Sequence, residues 1–260
     1  MIFLLKMKYG RHKLNEKITA IFNNWNETII WSCLQGVMGE IHTDATEEAA
    51  MAILGDFAFY AGKPCEELLS FKPRSCEQDF IIMVPQNEAW AKLIETCYGN
   101  KAKKVTRYAI KKEKDIFALD KLQQAVRELP DGYELIMLEE QEYILCQKNK
   151  WANDLVSQFK DYNTYKKLGL GVVALQDGEL VAGASSYSRY KEGIEIEIDT
   201  REDHRRKGLA YACGAKLILT CLEKGLYPSW DAQNMWSVAL AEKLGYQFSH
   251  EYTAYEINEF

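Results

Sequence analysis

The chain has 260 residues, of which 47% are hydrophobic and 27% charged, and its formal net charge is −6. This composition suits one large globular domain or two small ones, with enough chain to bury a core without covalent staples. The acidic balance excludes a protein built as a whole to embrace a polyanion, so any basic cluster has to be judged as a local site.

The opening stretch, "MIFLLKMKYGRHK", places five apolar residues before Lys6, too few for the core of a signal peptide. No run approaches the eighteen or so apolar residues of a membrane span, since "AAMAILGDFAFYAG" is interrupted by Asp56. Seven cysteines, at 33, 65, 76, 97, 146, 213 and 221, are odd in number and include no C-x-x-C pair. Reduced thiols in a soluble, cytoplasmic protein without a membrane partner are expected. The four histidines and the cysteines show no metal-ligand spacing.

In chain order, residues 27–35 read as a strand and 39–44 as a second candidate. Residues 45–62 read as a helix, with Thr46 as its cap before two glutamates. A strand over 79–85, a helix over 87–99 and a strand over 103–112 follow. A helix at 115–129 is stopped by Pro130-Asp131-Gly132. Strands then come at 133–138, 171–176, 179–188 and 194–200, with Asp177-Gly178 as a hairpin signal and Lys191-Glu192-Gly193 as a second turn. The chain closes with a helix over 208–225, a strand over 227–232, a helix over 235–245 and a strand over 251–257.

Two segments echo one another: residues 88–110 and 234–257 each run Trp, helix, Gly, then Thr-x-Tyr-x-Ile. They suggest a shared strand-helix-strand unit, or chance. Residues 100–115 carry seven bases, a pattern that fits a lysine-lined sheet edge better than a nucleic-acid site in so acidic a chain. Tyr187, Tyr190 and Trp230 suit an acceptor pocket or, by default, cross-strand packing. "GLGVVAL" is not a dinucleotide fingerprint and "GASSY" is not a nucleophile elbow.

The most informative stretch is "EIEIDTREDHRRKGLA", residues 195–210. Alternation puts Glu195, Glu197 and Asp199 on one face of a strand and Ile194, Ile196 and Ile198 on the other. Arg205, Arg206, Lys207 and Gly208 then stand where a helix begins. A helix start exposes unpaired amides and about half a positive charge, so bases and a glycine there can seat phosphate oxygens. Gly208 allows close backbone approach, and small Ala210 keeps the next turn clear. Alone, the same residues also describe a solvated basic turn.

Arg205-x-x-Gly208-x-Ala210, after a strand and opening an apolar helix, resembles the [Q/R]-x-x-G-x-[G/A] loop of the GNAT N-acetyltransferase superfamily. "QNMWSVALAEKLGYQF" resembles that family's later helix, matching at Asn234, Ser237, Glu242, Lys243, Leu244, Gly245 and Tyr246. The resemblance covers roughly residues 116–260 and implies an α/β (α+β) protein of GNAT fold, a mixed, mainly antiparallel sheet flanked by helices. Residues 1–115 would then form a smaller, degenerate relative lacking the basic loop. It implies an acyltransferase moving an acetyl group from acetyl-CoA to an amine by direct attack. The pyrophosphate would rest on Arg205, Arg206, Lys207, Gly208, Leu209 and Ala210, and the pantetheine arm along Ile198, Asp199 and Thr200 and beside Asn234 and Ser237. Amides along Ile198–Thr200 would stabilise the developing oxyanion, and a bulge would splay this strand from the next.

Such transfer needs a neutral amine, while a lysine-like amine has a pKa of about 10.4, so a carboxylate must take its proton. Glu195 stands nearest the family's position for that base, and Glu197 lies one pleat further along. Both also suit the solvated face of a sheet. One position departs from the family: the tyrosine that protonates the leaving thiolate there is Ala241 here. His204, Ser237 or water would have to replace it, or the domain binds acyl-CoA as a sensor or scaffold without efficient turnover. The acceptor, a small molecule or a protein amine, is expected to be cationic; neither its identity nor the oligomeric state is readable.

Overall fold

A computed structural model describes residues 16–74, 76 and 78–260; the opening stretch read for a signal peptide lies outside them. The chain divides into two compact units, one running up to Arg107 and taking back Tyr252–Phe260, the other Tyr108–Glu251. The boundary lies at 107/108, within a strand that runs on to Ile110, and residues 255–258 of the last strand pair within the first unit.

In the first unit, helices α1 (Glu16–Ile21) and α2 (Thr28–Gln35) precede strand β1 (Glu40–Thr43). Antiparallel β2 (Ala49–Leu54) and β3 (Phe57–Gly62) follow, then the one-turn α3 (Glu66–Leu69), β4 (Phe80–Pro85), α4 (Glu88–Tyr98) and β5 (Ala102–Ile110). β3 and β4 are parallel, and β4 pairs antiparallel with residues 255–258 of the last strand, β12 (Phe248–Asn258). Met51, Tyr60, Met83, Trp90, Ile94, Tyr255 and Ile257 form the core.

Two expectations fail in this unit. Residues 28–35 of the expected strand 27–35 are a helix, because Ile29, Ile30 and Cys33 share one buried face and Gly36 (φ +65) closes the last turn through its amide on the Cys33 carbonyl. Residues 45–62 are a hairpin. Every residue of β2 is buried, and a short apolar run buried on both faces has no period to separate strand from helix. The missed signal is Gly55-Asp56, a two-residue turn with Gly55 at φ +55. Thr46 caps no helix: it sits in a turn organised by Asp44, whose carboxylate accepts the amides of Thr46, Glu48 and Ala49. Lysines at the start of β5 and just before it meet carboxylates, Lys101 with Glu259, Lys103 with Glu256 and Lys104 with Glu95.

The second unit begins with α5 (Leu119–Arg127) and is built on the sheet order β10-β9-β8-β7-β6. β6 (Tyr133–Met137), β7 (Gly171–Gln176), β8 (Glu179–Tyr190) and β9 (Gly193–Thr200) are antiparallel neighbours, and β10 (Tyr227–Ser229) runs parallel to β9. Asp177 (φ +50) and Gly178 (φ +80) make the β7–β8 turn as the sequence suggests. On one face, α5 and α8 (Leu209–Glu223) bury Leu122, Leu209, Cys213, Leu217 and Cys221 against Val172, Ala184, Ile194 and Ile196.

The other face carries the segment between β6 and β7, which holds α6 (Glu140–Lys148), a short 3-10 turn (Asn153–Leu155) and α7 (Tyr162–Leu168). Leu155 lies against Gly183, where a Cβ would come within 2.5 Å of it, and the Tyr165 hydroxyl meets Ser185 Oγ at 2.9 Å. Residues 227–232 are two strands, not one: β10 stays with β9, and after Trp230 the pair Asp231–Ala232 (β11) joins Ala109 and Tyr108 of β5. α9 (Met235–Leu244) and β12 complete the chain. Among the described residues no helix is long and apolar enough to cross a membrane, and all seven cysteines are free.

Candidate active site

The change of partner at Trp230 creates the site. β10 pairs with β9 only at residues 193–195, so residues 196–200 of β9 continue past the last β10 residue. The amide of Arg201 bonds the Val181 carbonyl at 2.9 Å. Backbone groups alternate sides along an antiparallel strand, so Glu197 and Asp199 also face β8, while Ile196, Ile198 and Thr200 face the side that β10 leaves. The bond from the Tyr227 amide to the Glu192 carbonyl, 2.8 Å, gives the same parity from the other side.

This sorts the three residues expected to supply amides. Asp199's amide is turned to β8, and Thr200's is held by the Asp199 carboxylate at 2.6 Å. Ile198 is left as the residue whose amide points into the wedge. Asp199 is half-buried; burial pushes its carboxyl above the ordinary range, with the Thr200 amide and Arg205 opposing and Asp154 reinforcing.

Beyond β9 the chain is locked into a tight turn. Arg201 binds Glu179 at 3.0 Å and Asp203 at 2.8 Å. Buried His204 meets Asp203 at 2.9 Å and Gln176 at 2.8 Å. Arg201 and His204 together hold the Asp203 carboxyl down at about 2. With both ring nitrogens engaged, His204 braces the turn and is not placed to serve as the acid that the sequence left open.

Arg205 reaches back to the Thr200 carbonyl at 3.2 Å. Two left-handed residues, Arg206 (φ +62) and Gly208 (φ +83), then swing the chain into α8. Residues 205–208 are exposed, Leu209 is buried and Ala210 half-buried. No side chain caps α8, and a Cβ on Gly208 would meet nothing within 4 Å. The first-turn amides therefore open toward solvent between three basic side chains, a geometry suited to an anion.

The three acids do not form one solvated face. Glu195 is only 7% exposed, in register with Ser188 on β8 and Ser229 on β10. Glu197 lies opposite Ser185 and Asp199 opposite Gly183, both half-buried beneath the segment 139–170, which sequence reasoning left unassigned. The β8–β9 register shifts between Ser186 and Ser188, so the bulge is on the β8 side, at Tyr187, and not between β9 and β10.

On α9, Asn234 accepts the Ser237 amide at 3.0 Å and so caps the helix, and Ser237 Oγ accepts from the Trp230 indole at 3.0 Å. The Tyr246 hydroxyl donates to the Pro228 carbonyl at 2.6 Å, tying the end of α9 to β10. Ala241 is fully buried in the core. Tyr187, Tyr190 and Trp230 are buried as well, which is the packing alternative.

The chain is similar to known proteins over nearly its whole length. A family model for GNAT acetyltransferases matches residues 19–255, a span that includes the first unit and so extends beyond the 116–260 expected from motifs. A Bacillus subtilis relative described as an uncharacterized N-acetyltransferase, YdfB, is 25% identical over 97% of both chains. The crystal structure of a GCN5-related N-acetyltransferase-like protein from Streptococcus suis superposes with a TM-score of 0.87 at 45% identity, covering 94% of this chain and 99% of that one. A GNAT-family protein from Novosphingobium aromaticivorans, 17% identical, shares the fold with a TM-score of 0.55 over 89% of this chain and 96% of that one.

Proposed function

Because the chain belongs to the GNAT acetyltransferase family and is thus an acyltransferase acting on amines, we propose that it transfers an acetyl group from acetyl-CoA by direct attack of the acceptor amine. The observation that carries this reading is the parting of β10 from β9. It leaves the Ile198 amide facing a wedge in the second unit, with the open start of α8 following the same strand.

In this reading the residues fit the donor in chain order. Arg205, Arg206, Lys207 and the amides of Gly208, Leu209 and Ala210 hold its pyrophosphate. The pantetheine arm runs along Ile198, Asp199 and Thr200 as a strand would, with Asn234 and Ser237 flanking it. The Ile198 amide stabilises charge developing on the thioester oxygen. Glu195 takes a proton from the incoming ammonium, and Glu197 is the alternative base. The amine nitrogen forms a bond to the acyl carbon as the carbon–sulfur bond breaks, and the second amine proton leaves on the thiol.

The acid-lined strand favours a cationic acceptor, either a small molecule or a protein amine, in a cytoplasmic setting. A second reading, an acyl-CoA sensor without turnover, is favoured by buried Ala241 at the position of the family's acid.

A panel of amines assayed for free CoA release tests both. Glu195→Gln should leave acetyl-CoA affinity unchanged and lower turnover near neutral pH about 10²-fold or more. Much of that loss should be recovered at high pH, where the amine arrives neutral. Glu197→Gln should cost less. Wild-type rates and pH profiles in both variants would remove the acids from the chemistry. Binding without turnover on any amine would favour the sensor.

A further inference from the structure

Glu195 occupies a row of hydroxyl groups. Ser188 and Ser229 lie in register on either side of it, and both are fully buried. One pleat away, Gly193 has no side chain, and a Cβ there would come within 2.5 Å of the Tyr190 hydroxyl and collide with the Tyr227 carbonyl. The Tyr190 ring therefore crosses the strand above Gly193 and meets Ser229 Oγ at 2.9 Å. Ser229 is thus satisfied by Tyr190. Ser188 is not: its hydroxyl is buried with no hydrogen-bond partner among the described residues. The bulge at Tyr187 is what brings Ser188 opposite Glu195.

Leaving a buried hydroxyl without a partner is costly, so native proteins rarely keep one unless it holds a water or a ligand group. We propose that Ser188 is a positioning residue, holding a water against the Glu195 carboxylate and setting that group's proton affinity. This rests on the acyl-transfer reading for its catalytic consequence. The acceptor ammonium passes one proton to the water and the water passes one to Glu195, which later releases it to solvent. The neutral amine then forms its bond to the acyl carbon.

Among the titratable groups that interact with Glu195 are Tyr190 on β8, Tyr227 on β10 and Tyr246 after α9, each raised chiefly by burial. Glu192 acts on Tyr190, and Glu113 on Tyr227. A phenol held above its ordinary pKa stays neutral where a carboxyl titrates, so it does not mask a shift in Glu195.

The experiment compares stability across pH for Glu195 and Glu195→Gln proteins, each with Ser188 and with Ser188→Ala. The stability difference within each pair inflects at the pKa of folded Glu195. Removing a donor to a carboxylate favours its acid form, so Ser188→Ala should move the inflection upward by about one pH unit. It should have no pH-dependent effect in the Glu195→Gln background. The acid limb of kcat/KM should move upward in step. An inflection that stays in place overturns the proposal. So does uniform stabilisation by Ser188→Ala, the mark of a hydroxyl that bonds nothing. A moved inflection without turnover on any amine would sink the acyl-transfer reading and leave the Ser188–Glu195 coupling standing.

Discussion

Gly208 carries two separable properties. At φ +83 it adopts a backbone conformation that side chains disfavour, and it leaves the space at the start of α8 empty. Alanine there tests the first alone, with a strain of about 1–2 kcal/mol that falls on stability. Aspartate adds a negative charge where phosphate oxygens are proposed to sit. Calorimetry should therefore show acetyl-CoA affinity reduced about tenfold or more by Gly208→Asp, or about 1.4 kcal/mol, with a smaller loss for Gly208→Ala. Undiminished binding by the aspartate variant would take the loop out of the site. At this scale the turn into α8 was legible in sequence, because Arg205, Gly208 and Ala210 stand out by their spacing at the start of an apolar helix. Burial was not legible. Alternation placed Glu195 and Glu197 on one face correctly, but only the register with Ser188 and Ser229 shows that Glu195 is enclosed.

At the scale of elements, the wedge depends on β10 being short and firmly seated. Its three residues pair with 193–195 of β9, and Tyr190 bridges across Gly193 to Ser229. Gly193→Ala should strike the Tyr227 carbonyl and displace the Tyr190 ring, breaking this seat. The expected result is a stability loss of about 1–3 kcal/mol, the range for overpacking a filled site. Turnover should fall further than the fraction unfolded explains, because the misplaced β10 disturbs Glu195. Wild-type melting and rates would show that β10 is held by other means. The same element explains why sequence reasoning ran 227–232 as one strand: "YPSWDA" contains no glycine or turn pair to mark a break, and its change of partner at Trp230 is a tertiary event. Helices with clear caps and turns, such as 87–99 and 235–245, were readable because Asn87 and Asn234 announce them locally. The all-buried hairpin at 49–62 was not, since its residues show no polar face.

For the whole molecule, the echoing residues 88–110 and 234–257 each hold a helix and the strand after it, α4–β5 and α9–β12, preceded by β4 and β11. Each helix starts at an asparagine cap, Asn87 in one run and Asn234 in the other. The end of β12 pairs with β4 in the first unit, and the end of β5 with β11 in the second. Though the family match spans both units, the helix starts differ between them. In the second, the strand β9 leads through Arg205–Gly208 into the fifteen-residue α8. In the first, the helix between β3 and β4 is α3, a single turn of four residues with Glu66 and Glu67 at its start. Two carboxylates at a helix start repel an anion, and one turn has too little aligned dipole to compensate. One acetyl-CoA per chain is therefore expected in a calorimetric titration, and Gly208→Asp should weaken that one site. A stoichiometry of two, with one site surviving Gly208→Asp, would place a second phosphate seat in the first unit and overturn the assignment of donor binding to the second alone.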